Sequence, residues 1–142
     1  AAYSRGLGDV YKRQQQYSRV NTPQSVLELA QSCNRGNLQD HELKLRLHRA
    51  LFAQQMWDKR CDTLSGGERM RLCLCCLMIA NHVPDLFVLD EPTNNLDLSS
   101  LAILTRTVRN YRGTLLVVSH DDNFTREIGI TRTVVLESPS AG

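Results

Sequence analysis

The sequence predicts an α/β fold in which a mainly parallel sheet is flanked by helices and accompanied by a helical subdomain. In the second half of the chain, short apolar runs alternate with helical segments, which is typical of parallel strands buried on both faces. In the first half, leucines recur at helical spacing instead. The 142 residues are enough for one domain with a substantial core.

Composition excludes few functions. The net charge of +2 favours neither a nucleic-acid nor a membrane partner, and 42% apolar with 23% charged residues is ordinary for a soluble protein. The longest apolar run, residues 72–80, is shorter than the roughly 20 residues that span a bilayer. The chain opens without the features of a secretory signal. We therefore expect a cytoplasmic protein with no membrane segment.

The cysteines are interpreted as small buried hydrophobic residues in a reducing cytosol rather than as metal ligands. Three of them crowd one apolar run, and no second cysteine cluster accompanies them. The five are Cys33, Cys61, Cys73, Cys75 and Cys76.

The chain divides into three predicted parts. Residues 1–13 have no clear period and resemble translated linker sequence, so they are expected to be non-native, the alternative being a genuine strand that leads into a loop. Residues 14–82 are expected to form the helical subdomain and its flanking segments. Residues 83–142 are expected to contribute the sheet.

Short helices are predicted between residues 24 and 57, with Pro23 near the first turn of one and Asp40 capping another. The second helix is expected to bury one face, made of Leu43, Leu47, Leu51 and Phe52. Further along, strands are predicted at residues 86–89, 115–118 and 133–136, with helices at residues 98–110 and 123–128.

The string "LSGGE" joins a capping signal to two glycines at the start of an apolar helix. Ser65 and Glu68 have the spacing of a capping box. Gly66 and Gly67 carry no Cβ, so a ligand can approach the backbone closely. Free N–H groups and the helix dipole favour phosphate oxygens there. The alternative is a well-capped core helix, which does not need two glycines.

Carboxylates and a histidine follow two of the predicted strands. Asp90 and Glu91 come directly after "LFVL", at the carboxyl end where open α/β sheets bind ligands. Asp90 can hold Mg²⁺, and Glu91 can orient and deprotonate a water molecule. His120 follows "TLLVVS", so we expect it at the same edge, where it can donate to a phosphate.

The strings "LSGGE", "LFVLDEPTNNLD" and "VVSHD", in this order, resemble the signature motif, Walker B, D-loop and H-loop of a P-loop NTPase-like ABC ATPase domain. The resemblance covers roughly residues 14–137. The "R-x-R-L" after the signature and the "DEPTNNLD" string most resemble the ABC-F subfamily, whose members are soluble, carry two ATPase domains in one chain, and in many cases act on the ribosome.

The resemblance implies that the signature segment binds a nucleotide held by an opposite ATPase domain. Ser65, Gly66 and Gly67 would contact its γ-phosphate, with Glu68 beside them. Asp97 would reach across the interface between the two domains. A second ATPase domain, in the same chain or in a dimer, is therefore the implied partner.

On the chain's own side, the resemblance implies that Asp90 positions Mg²⁺, that Glu91 is the general base and that His120 contacts the γ-phosphate of ATP. A Q-loop glutamine should also bind ATP and Mg²⁺. Gln14 fits that position through Tyr11, with the neighbouring Gln15 and Gln16 as alternatives.

Two features depart from the family pattern. Asp122 stands where ABC-F proteins usually carry arginine, and no G-x-x-x-x-G-K-[ST] phosphate loop occurs in the 142 residues. We therefore interpret the chain as the C-terminal part of an ATPase domain and expect negligible ATP hydrolysis by it alone. The ribosome is a further implied partner, and no direct DNA binding is expected.

Three alternatives remain. An ABC transporter energy subunit would share all four motifs. A chromosome-maintenance ATPase would need a long coiled coil before the signature, against which the broken helices at residues 24–57 argue. A catalytically inactive ribosome-binding or interaction module would have no chemical use for Asp90, Glu91 and His120.

Overall fold

The computed structural model describes residues 20–81 and 85–136. The elements in chain order are α1 (Val26–Cys33), α2 (Asp40–Arg49), α3 (Gly66–Ile79), β1 (Leu86–Asp90), α4 (Leu98–Arg109), β2 (Thr114–Val118) and α5 (Asp122–Glu127), with 3₁₀ turns at Gln54–Met56 and Cys61–Thr63. The strands β1 and β2 pair in parallel, with Leu86 opposite Thr114 and Asp90 opposite Val118. The predicted α/β class is confirmed.

Helix α3 lies between two hydrophobic cores and contributes to both. Leu72 packs with Leu47 and Phe52 in a core shared by α1, α2 and α3. Leu74 packs instead with Leu89 and other residues of the sheet, α4 and α5. Because its two sides are buried against different parts of the chain, this helix is apolar almost all round.

The first two helices are capped by Ser25 and Gln39, neither of which the sequence analysis had named. Helix α1 begins after Ser25, whose hydroxyl accepts from the Glu28 N–H at 3.2 Å while the Glu28 carboxylate accepts from the Ser25 N–H at 2.8 Å. Helix α2 is capped at Gln39, so the prediction of Asp40 as the capping residue was wrong by one position. Asp40 lies in the first turn and pairs with Lys44 at 2.6 Å.

Leu51 does not share the buried face predicted for it. Helix α2 ends at Arg49, and Leu51 takes a positive φ of 65° just beyond it. Its side chain is 46% exposed, whereas Leu43, Leu47 and Phe52 are buried. The end of the helix breaks the helical spacing on which the prediction depended.

The sheet is covered on one face only in the part of the chain that the structure describes, so the prediction of cover on both faces was wrong for these residues. Leu115 and Val117 pack against the second core, while Leu116 and Val118 are 54% and 47% exposed on the opposite face. Alternate residues of a strand face opposite sides, so one layer of helices covers only one of the two sets.

The strand predicted at residues 133–136 is absent. Residues 131–136 have no regular secondary structure, and Val134, Val135 and Leu136 are all at least 75% exposed. A strand needs a neighbour to receive its backbone hydrogen bonds, and no described strand pairs with this segment.

Burial of the cysteines agrees with their interpretation as core residues. Cys61 and Cys75 are buried in the first core. Burial raises the pKa of the Cys61 thiol to about 11 and that of the Cys75 thiol to about 12. Both thiols are therefore protonated at neutral pH. Within residues 20–81 and 85–136, no helix is long and apolar enough to cross a membrane.

Candidate ATP site

The start of α3 is held by the predicted capping box. The Ser65 hydroxyl accepts from the Glu68 N–H at 3.2 Å, and the Glu68 carboxylate accepts from the Ser65 N–H at 2.8 Å. Lys59 also donates to the Glu68 carboxylate, at 3.2 Å. These contacts fix the start of the helix, and the Glu68 carboxylate is hydrogen-bonded to groups of this chain. Its predicted contact with nucleotide stays a prediction.

The structure distinguishes the two glycines that the sequence treats alike. A Cβ built on Gly66 would meet nothing within 4 Å, and this residue is exposed. A Cβ on Gly67 would come within 2.8 Å of both the Asp97 Oδ1 and the Ser100 Oγ atoms. Gly67 therefore allows α3 to pack against the start of α4, and the space open to a ligand lies at Gly66.

Asp97 caps helix α4 next to the signature glycines. Its Oδ2 accepts from the Ser100 N–H at 3.1 Å, and its Oδ1 accepts from the Ser100 hydroxyl at 2.6 Å. These hydrogen bonds hold the pKa of the Asp97 carboxyl below its ordinary value. The D-loop residue predicted to reach a second domain is thus pre-oriented by its own helix and kept ionised.

Arg71 is a central residue of this arrangement that the sequence analysis missed. It is 8% exposed, and its Nε donates to the Ser100 hydroxyl at 3.1 Å. Its Nη1 donates to the Ala50 and Leu51 carbonyls at 3.0 and 3.1 Å, and the guanidinium lies 5.2 Å from the Phe52 ring centroid. Arg71 therefore connects the end of α2 to the start of α4.

The signal for Arg71 was present in the sequence. It is a charged residue within an apolar helix, and it lies four residues after Gly67. Residues four apart lie on the same face of a helix, so Arg71 necessarily faces the segment that Gly67 packs against.

We expect Arg71→Met to lower the free energy of unfolding by about 2 to 4 kcal/mol. Methionine fills most of the same space but leaves the carbonyls of Ala50 and Leu51 without their charged donor. The measurement is urea unfolding followed by circular dichroism. Arg109→Met is the matched control because Arg109 is exposed at the end of α4. Equal stability of the two variants would contradict the bridging role.

The carboxylates and the histidine meet at the carboxyl ends of β1 and β2, as predicted. The Glu91 N–H donates to the Val118 carbonyl at 2.7 Å, which fixes Glu91 just beyond the sheet with a φ of 43°. The His120 Nε2 lies 3.3 Å from the Glu91 Oε1. The Glu91 side chain is 25% exposed and that of His120 is 97% exposed. Glu91 is thus anchored, and His120 is open to a ligand.

Asp90 fits the predicted contact with Mg²⁺. It is exposed at the end of β1, and within residues 20–81 and 85–136 no side chain bonds its carboxylate. No group of three or more histidine, cysteine, aspartate or glutamate residues in these ranges forms a metal-binding cluster. Mg²⁺ is usually held by one or two carboxylates with water and substrate phosphate oxygens, so one available carboxylate suits it.

The predicted site residues thus form two groups. Ser65, Gly66 and Gly67 lie with Asp97 at the helix start, while Asp90, Glu91 and His120 lie at the sheet edge. Across the described ranges, no hydrogen bond or ion pair joins the two groups. Gln14, with its alternatives Gln15 and Gln16, lies outside the residues that the structure describes, as does the segment 1–13.

Comparison with known proteins agrees with this arrangement. The family model described as ABC transporter matches residues 5–94. The chain is 44% identical over 86 residues to the energy-dependent translational throttle protein EttA of Haemophilus influenzae. The aligned residues cover 59% of this chain and 15% of that protein. It is 40% identical over 96 residues to ABC transporter F family member 5 of Arabidopsis thaliana, covering 68% of this chain and 13% of that protein.

A solved structure shows the same likeness. An archaeal ribosome recycling factor, crystallised in complex with an archaeal ribosomal stalk protein, matches with a TM-score of 0.57 and 26% identity over 75% of this chain and 21% of that chain. The chain spans only a small part of the length of each of these relatives. The chain belongs to the ABC transporter family.

Proposed function

We propose that this chain is part of a tandem ATPase that binds and hydrolyses ATP in the cytosol and acts on the ribosome or in translation. The observation that carries the catalytic part is the 3.3 Å contact between Glu91 and His120 beyond the ends of two parallel strands. The translational part is supported by relatives, since the similar bacterial protein is named as a translational throttle.

In the proposed reaction, Glu91 accepts a proton from the water that attacks the γ-phosphorus of ATP, the bond from that phosphorus to the β–γ bridging oxygen breaks, and ADP leaves with that oxygen. The hydrogen bond from the Glu91 N–H to the Val118 carbonyl fixes the backbone of residue 91 beyond the sheet edge. His120 hydrogen-bonds a γ-phosphate oxygen. Asp90, together with Gln14, would hold Mg²⁺, which neutralises charge on the phosphate oxygens when it is bound.

In this proposal, residues at the start of α3 contact a second nucleotide, which is held by the opposite ATPase domain. Ser65 and Gly66 offer a hydroxyl and an unobstructed backbone at the positive end of α3. Glu68 caps that helix start, and Gly67 lets it pack against Asp97 and Ser100. A second ATPase domain supplies the nucleotide that Ser65 and Gly66 contact, so each ATP lies between two domains.

Sequencing the DNA upstream of the Ala1 codon tests the proposal. A continuous frame encoding a phosphate loop and a second ATPase domain is the expected result. A lone phosphate-loop domain beside a membrane-protein gene would instead assign the chain to a transporter. The absence of any phosphate loop in the upstream frame would remove the catalytic proposal.

The isolated 142-residue chain is expected to release negligible phosphate from Mg-ATP, because it contains no phosphate loop. The measurement is phosphate release with and without Mg²⁺. Magnesium-dependent turnover by this chain that Glu91→Gln abolishes would contradict the expectation.

A further inference from the structure

A groove of about 700 Å³ lies between the C-terminal parts of α2, α3 and α4 and the segment before β2. It includes Phe87 near the start of β1 together with Tyr111 and Arg112, which precede β2. The start of a parallel strand is the end opposite to its carboxyl edge. The groove therefore lies at the other end of the sheet from Glu91 and His120, and it is separate from the candidate ATP site.

The rim of the groove carries an excess of positive charge. Among the described residues, no carboxylate lines the groove. Five arginines line it: Arg46, Arg49, Arg71, Arg106 and Arg112. Arg71 is bonded inside the chain, and Arg46 donates to the Met78 carbonyl at 3.3 Å. Arg49, Arg106 and Arg112 are exposed, and in residues 20–81 and 85–136 none of these three has an ion-pair partner.

The helix ends nearby do not cancel this charge. Helices α2, α3 and α4 all end close to the groove, and each C-terminus carries a partial charge of roughly −0.5 that decays within one turn. The three exposed arginines alone contribute three full positive charges. The described residues that line the groove therefore carry a net positive charge.

The floor of the groove is apolar. It is formed by side chains of α3, α4 and β1, among them Leu77, Met78 and Ile103. Met78 is 54% exposed, and methionine adapts easily to different partners.

We infer that this groove binds an acidic amphipathic helix of a protein partner. Apolar side chains on one face of such a helix would enter the floor, as in helix-in-groove recognition. Glutamate or aspartate side chains on its flanks would pair with Arg49, Arg106 and Arg112, whose planar guanidinium groups bind carboxylates through two hydrogen bonds. A nucleic-acid backbone would use the arginines but leave the apolar floor in contact with water, so the floor favours the peptide.

The test is fluorescence anisotropy with the full 142-residue chain and two labelled helical peptides. In one peptide leucines form one face and glutamates flank it, and in the other lysines replace the glutamates. A single-stranded oligouridylate is the third probe. The acidic peptide is expected to bind, more weakly at higher salt because arginine–carboxylate pairs at an exposed rim are screened. The lysine peptide and the oligonucleotide are expected to bind at least about 10-fold more weakly.

Charge reversal at the rim gives the decisive comparison. Arg49→Glu with Arg106→Glu is expected to weaken binding of the acidic peptide by about 10-fold or more. Arg35→Glu with Arg109→Glu changes the net charge equally at exposed positions outside the groove and is expected to leave binding nearly unchanged. Circular dichroism verifies that both double variants are folded.

Three results would overturn the inference. They are absence of binding by the acidic peptide, equal weakening by the two double variants, and tighter binding of the oligonucleotide that depends on Arg49 and Arg106. The last result would assign the groove to nucleic acid.

Discussion

Replacing Glu91 by glutamine is expected to lower ATP turnover by at least about 100-fold in a longer form of the protein that joins this chain to a phosphate loop. Glutamine has nearly the same shape as glutamate, and the backbone hydrogen bond of residue 91 to Val118 does not depend on the side chain. The variant loses the group that accepts a proton, while the sheet edge around it is retained.

Steady-state phosphate release measures this effect, and binding of a fluorescent ATP analogue shows whether the nucleotide site is intact. Retained binding with lost turnover is the expected combination, since the change removes a group needed for the chemical step. Glu127→Gln is the matched control because Glu127 is an exposed carboxylate at the end of α5. Turnover by Glu91→Gln equal to that of the control would exclude Glu91 as the general base.

The sheet edge was predictable from the sequence because its geometry is local. An apolar strand followed by a polar residue is visible in the sequence, and the carboxyl ends of adjacent parallel strands necessarily meet. The convergence of Glu91 and His120 therefore required no knowledge of packing beyond strand order. The capping box of Ser65 and Glu68 was predictable for the same reason, since its two members are three residues apart.

Long-range packing was not predictable in this way. The difference between Gly66 and Gly67 depends on Asp97 and Ser100, which lie some thirty residues further along the chain. The role of Arg71 depends on carbonyls 21 and 20 residues before it and a hydroxyl 29 residues after it. Nothing in the local sequence states which distant groups these positions meet.

The errors in secondary structure have a related cause. Residues 133–136 have strand-forming composition, yet a strand is stable only beside another strand, and none of the described strands is adjacent to them. Leu51 has the spacing of a buried helical residue, but the helix ends at Arg49. The sequence pattern of a segment indicates which secondary structure it favours, but the neighbouring elements determine which one it forms.

Replacing either signature glycine by alanine is expected to have a different effect: Gly67→Ala lowers the free energy of unfolding, whereas Gly66→Ala lowers ATP turnover. Gly67→Ala places a methyl group 2.8 Å from two oxygen atoms of Asp97 and Ser100, and is expected to lower the free energy of unfolding by about 1 to 3 kcal/mol. Gly66→Ala has free space around the new methyl group. Because alanine also favours helix more than glycine does, Gly66→Ala is expected to be equally or slightly more stable.

The effect of Gly66→Ala on ATP turnover is expected to be large despite its stability. In the proposed arrangement, the backbone at Gly66 lies against a phosphate held by the opposite ATPase domain, and a methyl group there would keep the phosphate away from the N–H groups of α3. Loss of about two such hydrogen bonds to a charged group corresponds to roughly a 100-fold lower turnover.

ATP turnover and the free energy of unfolding of Gly66→Ala should therefore be measured together, in a longer form of the protein that joins this chain to a phosphate loop. The expected result is turnover reduced by about 100-fold at unchanged stability. Turnover equal to that of the unmodified protein would show that nothing closely approaches Gly66 during the reaction, and would contradict the assignment of this helix start to the nucleotide.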